Sequence, residues 1–312
     1  MRAIVIDQYG DKEELKETDL PVPEPEADEI LIEEHAAAVN PIDWKLRYGY
    51  LKEKLPFDFP IVLGWDVSGV VKKTGEDVTS FAKGERVFVR PELTNRGSYA
   101  EYTTARADLA ARIPDNIDFK EAAAVPLAGL TAYQCLVDVG KLVSGSKVLI
   151  HAGAGGVGSF AIQIAKNLGA YVAATCSTKN VEFLKSLGAD EVIDYTKADF
   201  AEVLEDYDFV LDSLGGEIQD KSFNILKQGG MLVSIVEEPD QEKADQLGVK
   251  AELHWLIPDG EELAALAGMM KNRTLKPVVG SVFPFSEEGL KDAHELSETH
   301  HARGKIVIEI SS

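Results

Sequence analysis

Apolar positions along this chain follow two different periods in turn. Up to about residue 115 they fall in short β-rich runs, at residues 2–6, 29–39, 66–73, 85–89 and 98–104, each bounded by Gly, Pro, Asn or charged turns. The stretch Val22-Pro23-Glu24-Pro25-Glu26 is excluded from helix and central strand alike, because proline fixes φ and lacks the N–H. This part predicts a compact, partly closed β domain. Near Ile117 the sequence becomes Ala-rich and helical, with one run at 119–125 and a second at 130–139 separated by Pro126.

From Lys147 onward strand-like and helix-like segments alternate, at 147–151, 156–168, 171–175, 181–187, 191–194, 200–204, 209–212, 218–226 and 231–236. Val157, Phe160, Ala161, Ile164, Ala165 and Leu168 recur at helical spacing, whereas Val148-Leu149-Ile150 is an unbroken apolar run suited to a strand covered on both faces. Such alternation predicts an α/β fold with a doubly wound parallel sheet. After Leu275 the pattern reads strand at 277–282, helix at 286–298 and strand at 305–310. A terminal strand this regular needs a partner, so the last segment is expected to return to the first domain. The expected division is therefore residues 1–120 with 276–312 in one domain and 121–275 in the other.

A length of 312 residues fits about two domains, and 45% hydrophobic with 27% charged residues is the composition of a folded chain. The formal net charge of −21 argues against nucleic-acid backbones and anionic membranes as partners. Neither a signal-like start nor a run of about 20 apolar residues is present, so neither secretion nor membrane insertion is expected. Cys135 and Cys176 make no disulfide framework and no thiolate cluster for zinc, which fits a reducing cytoplasm.

Gly153-Ala154-Gly155-Gly156-Val157-Gly158 matches G-x-G-x-x-G between an expected strand and an expected amphipathic helix. In that context the first glycine permits the tight turn, the second lets a pyrophosphate approach the backbone, and the third packs helix on sheet. The helix N-terminus holds such an anion without a basic side chain. The bland alternative is a glycine turn that binds nothing, but the alternating strands and helices that follow favour a dinucleotide.

About 20 residues further on, where an NAD site places Asp or Glu on the ribose, the chain has Thr175-Cys176-Ser177-Thr178-Lys179-Asn180. A carboxylate here would repel a 2′-phosphate, while Ser177 and Lys179 can donate to one, so NADPH is the expected cofactor. Tyr195, after the third strand, is a further candidate at this phosphate. The competing readings are an exposed lysine in a helix's first turn and a half-buried aromatic.

With these features in place, the chain resembles the medium-chain dehydrogenase/reductase superfamily, in its zinc-free quinone oxidoreductase branch. The resemblance rests on Val39-Asn40-Pro41-Ile42-Asp43-Trp44-Lys45, Gly64-Trp65-Asp66-Val67-Ser68-Gly69, Gly84-Glu85-Arg86-Val87, Gly97-Ser98-Tyr99-Ala100-Glu101-Tyr102, the run Ala123 to Tyr133, the glycine turn and Gly304-Lys305-Ile306-Val307. It implies a GroES-like β domain, completed by the C-terminal segment, with a Rossmann domain inserted. In zinc-dependent relatives a Cys stands where Asn40 is and Gly-His-Glu where Gly64-Trp65-Asp66 is, so no metal is expected. His35, His151, His254, His294, His300 and His301 show no ligand spacing that replaces it.

By the same resemblance Asn40, Asp43, Lys45 and Tyr50 are candidate catalytic residues. Asn40 is expected to donate to a substrate carbonyl, and Lys45, oriented by Asp43, to stabilise a developing oxyanion. Thr131, Ser213 and Lys305 lie in motifs that approach the cofactor. Bland readings stand beside these: Asn40-Pro41 is a good turn starter, and Asp43 with Lys45 is an ordinary surface pair. Without a Lewis acid the acceptor must already be electrophilic, so hydride transfer from NADPH to a quinone is the leading expectation. The alternatives are an enone or enoyl-thioester double-bond reductase, which the negative charge mildly disfavours, and a non-catalytic NADPH-binding sensor or scaffold. The alternating segment 250–257 predicts an edge strand in need of a partner, hence a homodimer.

Overall fold

A computed structural model describes residues 1–311. In chain order the first elements are β1 (Arg2–Ile6), β2 (Lys16–Asp19), β3 (Glu29–Val39), α1 (Pro41–Arg47), β4 (Ile61–Val62), β5 (Val67–Thr74), β6 (Arg86–Val89), β7 (Tyr102–Arg106), β8 (Ala110–Arg112), α2 (Phe119–Ala123) and α3 (Pro126–Tyr133). Then come β9 (Lys147–Ile150), α4 (Gly156–Asn167), β10 (Tyr171–Cys176), α5 (Val181–Ser186), β11 (Glu191–Asp194), α6 (Phe200–Val203), β12 (Tyr207–Asp212), α7 (Gly216–Ser222), β13 (Leu226–Ser234), α8 (Gln241–Leu247) and β14 (Lys250–Leu253). The chain closes with α9 (Gly260–Lys271), β15 (Val279–Pro284), α10 (Glu287–Glu298) and β16 (Lys305–Glu309).

Two units result. The first holds Met1–Leu130, Pro258–Arg273 and the residues from Pro277 on; the second holds Thr131–Ile257 and Thr274–Lys276. In the first, strands run β15-β16-β3-β5-β6-β8 with β7 also on β3, and a smaller sheet runs β2-β1-β4. The terminal strand does return: Ile306, Val307 and Ile308 pair antiparallel with Val39, Ala38 and Ala37. One apolar cluster joins Ile4, Ile6, Trp65, Tyr99, Leu290 and Ile306, and a second fills the space around Ile32, Val71, Val87 and Ala105.

The second unit has six parallel strands in the order β11-β10-β9-β12-β13-β14. Counted from β9 this is the 3-2-1-4-5-6 arrangement of a dinucleotide-binding doubly wound sheet, with its reversal at β9. Val148, Leu149 and Ile150 are fully buried, as a strand covered on both faces requires. β14 forms one edge.

Three local expectations need correction. Asn40-Pro41 opens the helix α1 rather than a turn, since proline fits a helix's first position, where its missing N–H costs nothing. For the same reason Pro126, which does separate two helices, is itself the first residue of the second, so α3 starts at 126 and not at 130. The expected boundary at 121 moves as well. Ala123 and Ala124 pack on Ala36, Ala38 and Val307, and α9 lies against β8, with Asn116 Nδ2 donating to the Met270 carbonyl at 3.2 Å, so residues 121–130 and 258–273 belong to the first unit. Among the described residues no helix is long and apolar enough to cross a membrane.

Candidate functional site

In the first unit, the end of β3, the start of α1, the start of β5 and β16 bring together side chains that are polar yet almost sealed from water. Asn40, Asp43, Asp66, Tyr99, His294 and Lys305 are each no more than 3% exposed. Buried charges need partners, and these have them. Asp66 Oδ2 accepts from Lys305 Nζ at 2.9 Å and from Asn40 Nδ2 at 2.7 Å, while its Oδ1 accepts the Leu127 N–H at 2.6 Å. The Lys305 ammonium also donates to the Val39 carbonyl at 3.2 Å and to Asn40 Oδ1. All three of its hydrogens thereby have acceptors within the protein. A cation carried by the chain itself thus sits against Asn40 and Asp66. The Asn40 amide is correspondingly engaged inside the protein at both ends.

Asp43 faces inward from α1. Its Oδ2 accepts the Asn40 N–H at 2.8 Å and the Tyr99 hydroxyl at 2.7 Å; its Oδ1 is buried without a hydrogen-bond partner. Burial pushes its carboxyl up to about 7, against the opposing pull of those two donors and of Lys305. Behind Tyr99 the chain of contacts continues, with His294 Nε2 at 3.1 Å from the Tyr99 oxygen, Arg47 Nη1 at 2.9 Å from His294 Nδ1, and Arg47 Nη2 at 2.7 Å from Glu298 Oε1. Arginine only donates, so Nδ1 accepts, Nε2 carries the hydrogen, and Tyr99 is left with its own hydrogen for Asp43. Burial and the Arg47 charge hold the His294 imidazole neutral, its pKa pushed down to about 3.

Lys45 does not join this group. Residues two apart on a helix face different ways, so Asp43 points into the core while Lys45, half-buried, lies over the Trp44 ring at 5.7 Å. The expected Asp43–Lys45 pair is therefore replaced by Asp43–Tyr99. Tyr50 is 70% exposed and stacks on Tyr48 with centroids 5.4 Å apart.

In the second unit the glycine turn sits between β9 and α4, and its glycines are not equivalent. A Cβ on Gly153 would meet Leu184 at 2.9 Å, and one on Gly158 would meet the Ala152 carbonyl at 2.5 Å, so both serve packing. A Cβ on Gly155 would meet only the Ala152 carbonyl, at 3.4 Å. Protein packing thus does not demand a glycine there, whereas close approach of an anion to bare backbone does. Ala152 adopts φ +47, and its N–H is held by Thr175 Oγ1 at 3.1 Å, so the sheet fixes the bend. Gly156 and Val157 open α4, half-buried. Ser213 donates to the His151 carbonyl at 3.3 Å, and Thr131 is buried in α3.

At the ends of β10 and β11, Ser177 is half-buried and Lys179 and Tyr195 are exposed, three of the expected cofactor contacts gathered on neighbouring strands. Asp194, which closes β11, accepts from Thr178 Oγ1 at 2.6 Å, from Thr196 Oγ1 at 2.7 Å and N–H at 3.1 Å, and pairs with Lys197 at 3.0 Å. These donors, the Thr178 hydroxyl foremost, hold its carboxyl well below the usual carboxylate range.

Asp66, Tyr99, His294, Arg47 and Asp194 were not singled out as site residues by sequence. The available signal was a charged or polar residue set in an otherwise apolar run, as at Trp65-Asp66-Val67 and Gly304-Lys305-Ile306. Among the described residues no group of three or more His, Cys, Asp or Glu side chains is placed to hold a metal ion.

The family model for the alcohol dehydrogenase GroES-like domain matches residues 26–115, and that for zinc-binding dehydrogenase matches residues 187–308. Over 99% of its length the chain is 39% identical to a 2-methylene-furan-3-one reductase of Solanum lycopersicum and 38% identical to a chloroplastic NADPH-dependent alkenal/one oxidoreductase of Arabidopsis thaliana, covering 79% of each. The solved structure of a quinone oxidoreductase from Coxiella burnetii superposes with a TM-score of 0.92 at 38% identity, with 99% of both chains covered.

Proposed function

Because this chain belongs to the zinc-free quinone oxidoreductase branch of the medium-chain dehydrogenase/reductase superfamily, we propose that it is an NADPH-dependent reductase whose acceptor is a quinone or a similarly electrophilic carbonyl compound. The observation that carries the reading is Gly155, a glycine at the start of α4 that protein packing does not require, in a chain whose turn after β10 bears Ser177 and Lys179 and no carboxylate. Gly155 and the first N–H groups of α4 would hold the pyrophosphate, and Ser177, Lys179 and Tyr195 the 2′-phosphate. Bound there, NADPH supplies a hydride.

Reduction of a carbonyl acceptor also consumes a proton. Asp43 Oδ1 is the atom that holds one near neutral pH, because a carboxyl with a pKa of about 7 is substantially protonated there and this oxygen has no other hydrogen-bond partner. Tyr99, with His294 and Arg47 behind it, fixes the orientation of that carboxyl, and Lys305 with Asp66 fixes Asn40 beside it. These are positioning residues. The second reading, reduction of a carbon–carbon double bond conjugated to a carbonyl, is favoured by the relatives named for alkenal/one and methylene-furanone substrates.

The test is NADPH oxidation by the purified protein with a panel of quinones, enones and saturated aldehydes, with product identification. Turnover of quinones to hydroquinones supports the first reading, and saturated ketones from enones support the second. No oxidation above background with any member of the panel excludes both and leaves a binding protein.

A further inference from the structure

Asp194 is a carboxylate where the 2′-phosphate reading has least use for one. It is the last residue of β11, paired in register with Cys176 at the end of β10, so it lies beside the turn that carries Ser177 and Lys179. Its side chain is only 11% exposed. Four donors meet its two oxygens: the Thr178 hydroxyl and the Lys197 ammonium on Oδ2, the Thr196 hydroxyl and N–H on Oδ1. The Thr178 and Thr196 hydroxyls are also 3.1 Å from each other. The two turns that follow adjacent strands are thus tied through one carboxylate, and the Tyr195 N–H donating to the Cys176 carbonyl at 3.1 Å closes the same link through the backbone. With its charge paired to Lys197 and its oxygens occupied by donors, the carboxylate faces the turns instead of solvent.

We propose that Asp194 is a specificity-determining positioning residue, a latch that holds the 177–180 and 195–197 turns in the arrangement that recognises the 2′-phosphate of NADPH. The inference rests on the cofactor reading above and adds a residue to it. Ser177, Lys179 and Tyr195 lie on exposed turns whose donors serve a phosphate only if held together, and holding them beforehand spares the ordering cost at binding. A short carboxylate with four acceptor directions suits this task; an amide has half that capacity.

Calorimetric titration of the purified protein with 2′,5′-ADP and with 5′-AMP reads the latch without turnover. In the wild type 2′,5′-ADP is expected to bind at least about tenfold more tightly than 5′-AMP. Asp194→Asn should lose most of that ratio while its 5′-AMP affinity stays the same. KM for NADPH should rise with kcat and the NADH parameters unchanged. Thr178→Ser keeps the hydroxyl and should keep the ratio, and Thr178→Val should lose it, which separates the latch from any general loss of folding in the Asp194 variant. If Asp194→Asn weakens both nucleotides alike, or binds 2′,5′-ADP more tightly because a repelling charge is gone, the latch is wrong. A wild type that binds both nucleotides equally overturns the 2′-phosphate reading itself and the latch with it.

Discussion

Lys305 Nζ and Asp66 Oδ2 face each other at 2.9 Å although neither side chain is more than 3% exposed and 239 positions separate them in the chain. The contact fastens the C-terminal strand β16 to the start of β5. It also places a fixed positive charge, carried by the chain itself, among Asn40, Asp66 and the Val39 carbonyl.

Removing one partner of such a pair strands the other charge in the interior, at a cost of about 3–5 kcal/mol. Lys305→Met and Asp66→Asn are each expected to lower the stability measured by urea unfolding by roughly that amount. The double variant should lose clearly less than the sum, because it leaves no orphaned charge. Additive losses in the double-mutant cycle would show that the two groups act separately.

Asp43 makes stability and activity depend on pH in a defined direction. Its folded pKa of about 7 lies above the unfolded value, so the folded state binds the extra proton and the group's contribution is lost as pH rises from about 4 through 7. Asp43→Asn removes the titration but keeps an oxygen for the Tyr99 and Asn40 donors. Relative to wild type, the variant should therefore gain stability between pH 5 and pH 9, by about 3 kcal/mol at about 1.4 kcal/mol per unit. If Asp43 holds the proton used in turnover, wild-type kcat should also decline above about pH 7. The Asn variant should be slow at every pH and lack that limb. A difference in stability that is flat across this range contradicts the raised pKa.

The parts of this molecule written in neighbouring residues were legible from sequence. The glycine turn needs one strand, six residues and one helix, and β16 announces itself by Ile306-Val307-Ile308. The buried cluster was not, because Asp66, Tyr99, His294 and Lys305 lie on four separate segments and only the folded chain shows that they meet. Nor was the direction of Asp43, since residues 41–47 carried no helix expectation, and only the helix sends Asp43 and Lys45 to different sides. Helix α9 follows the parallel sheet in sequence but packs on β8, a tertiary choice no local pattern records.

Assembly is testable at β14, one edge of the parallel sheet. Unpaired backbone along Lys250–Leu253, followed by Trp255 at 41% and Ile257 at 67% exposure, favours a two-fold pairing of two such edges. Light scattering at micromolar concentration is expected to give twice the chain mass, and Ile257→Asp to shift the particle towards monomer. A wild-type monomer at that concentration excludes the pairing.

The proposed cofactor preference is tested at Lys179. It stands on the turn after β10, in a chain of net charge −21 that would otherwise repel a phosphate, and with Ser177 it supplies donors where an NAD site has a carboxylate. A charge-assisted hydrogen bond contributes about 1.5–3 kcal/mol, which corresponds to roughly tenfold or more in affinity for NADPH over NADH. Lys179→Ala should raise KM for NADPH by about that factor and leave NADH almost untouched, since only NADPH carries the group the lysine meets. Ser177→Asp should reverse the preference by repelling the 2′-phosphate and accepting from a ribose 2′-hydroxyl. Equal loss for both cofactors in Lys179→Ala would mean that the lysine supports the turn and not the phosphate, and equal wild-type kcat/KM for NADPH and NADH would remove the 2′-phosphate site altogether.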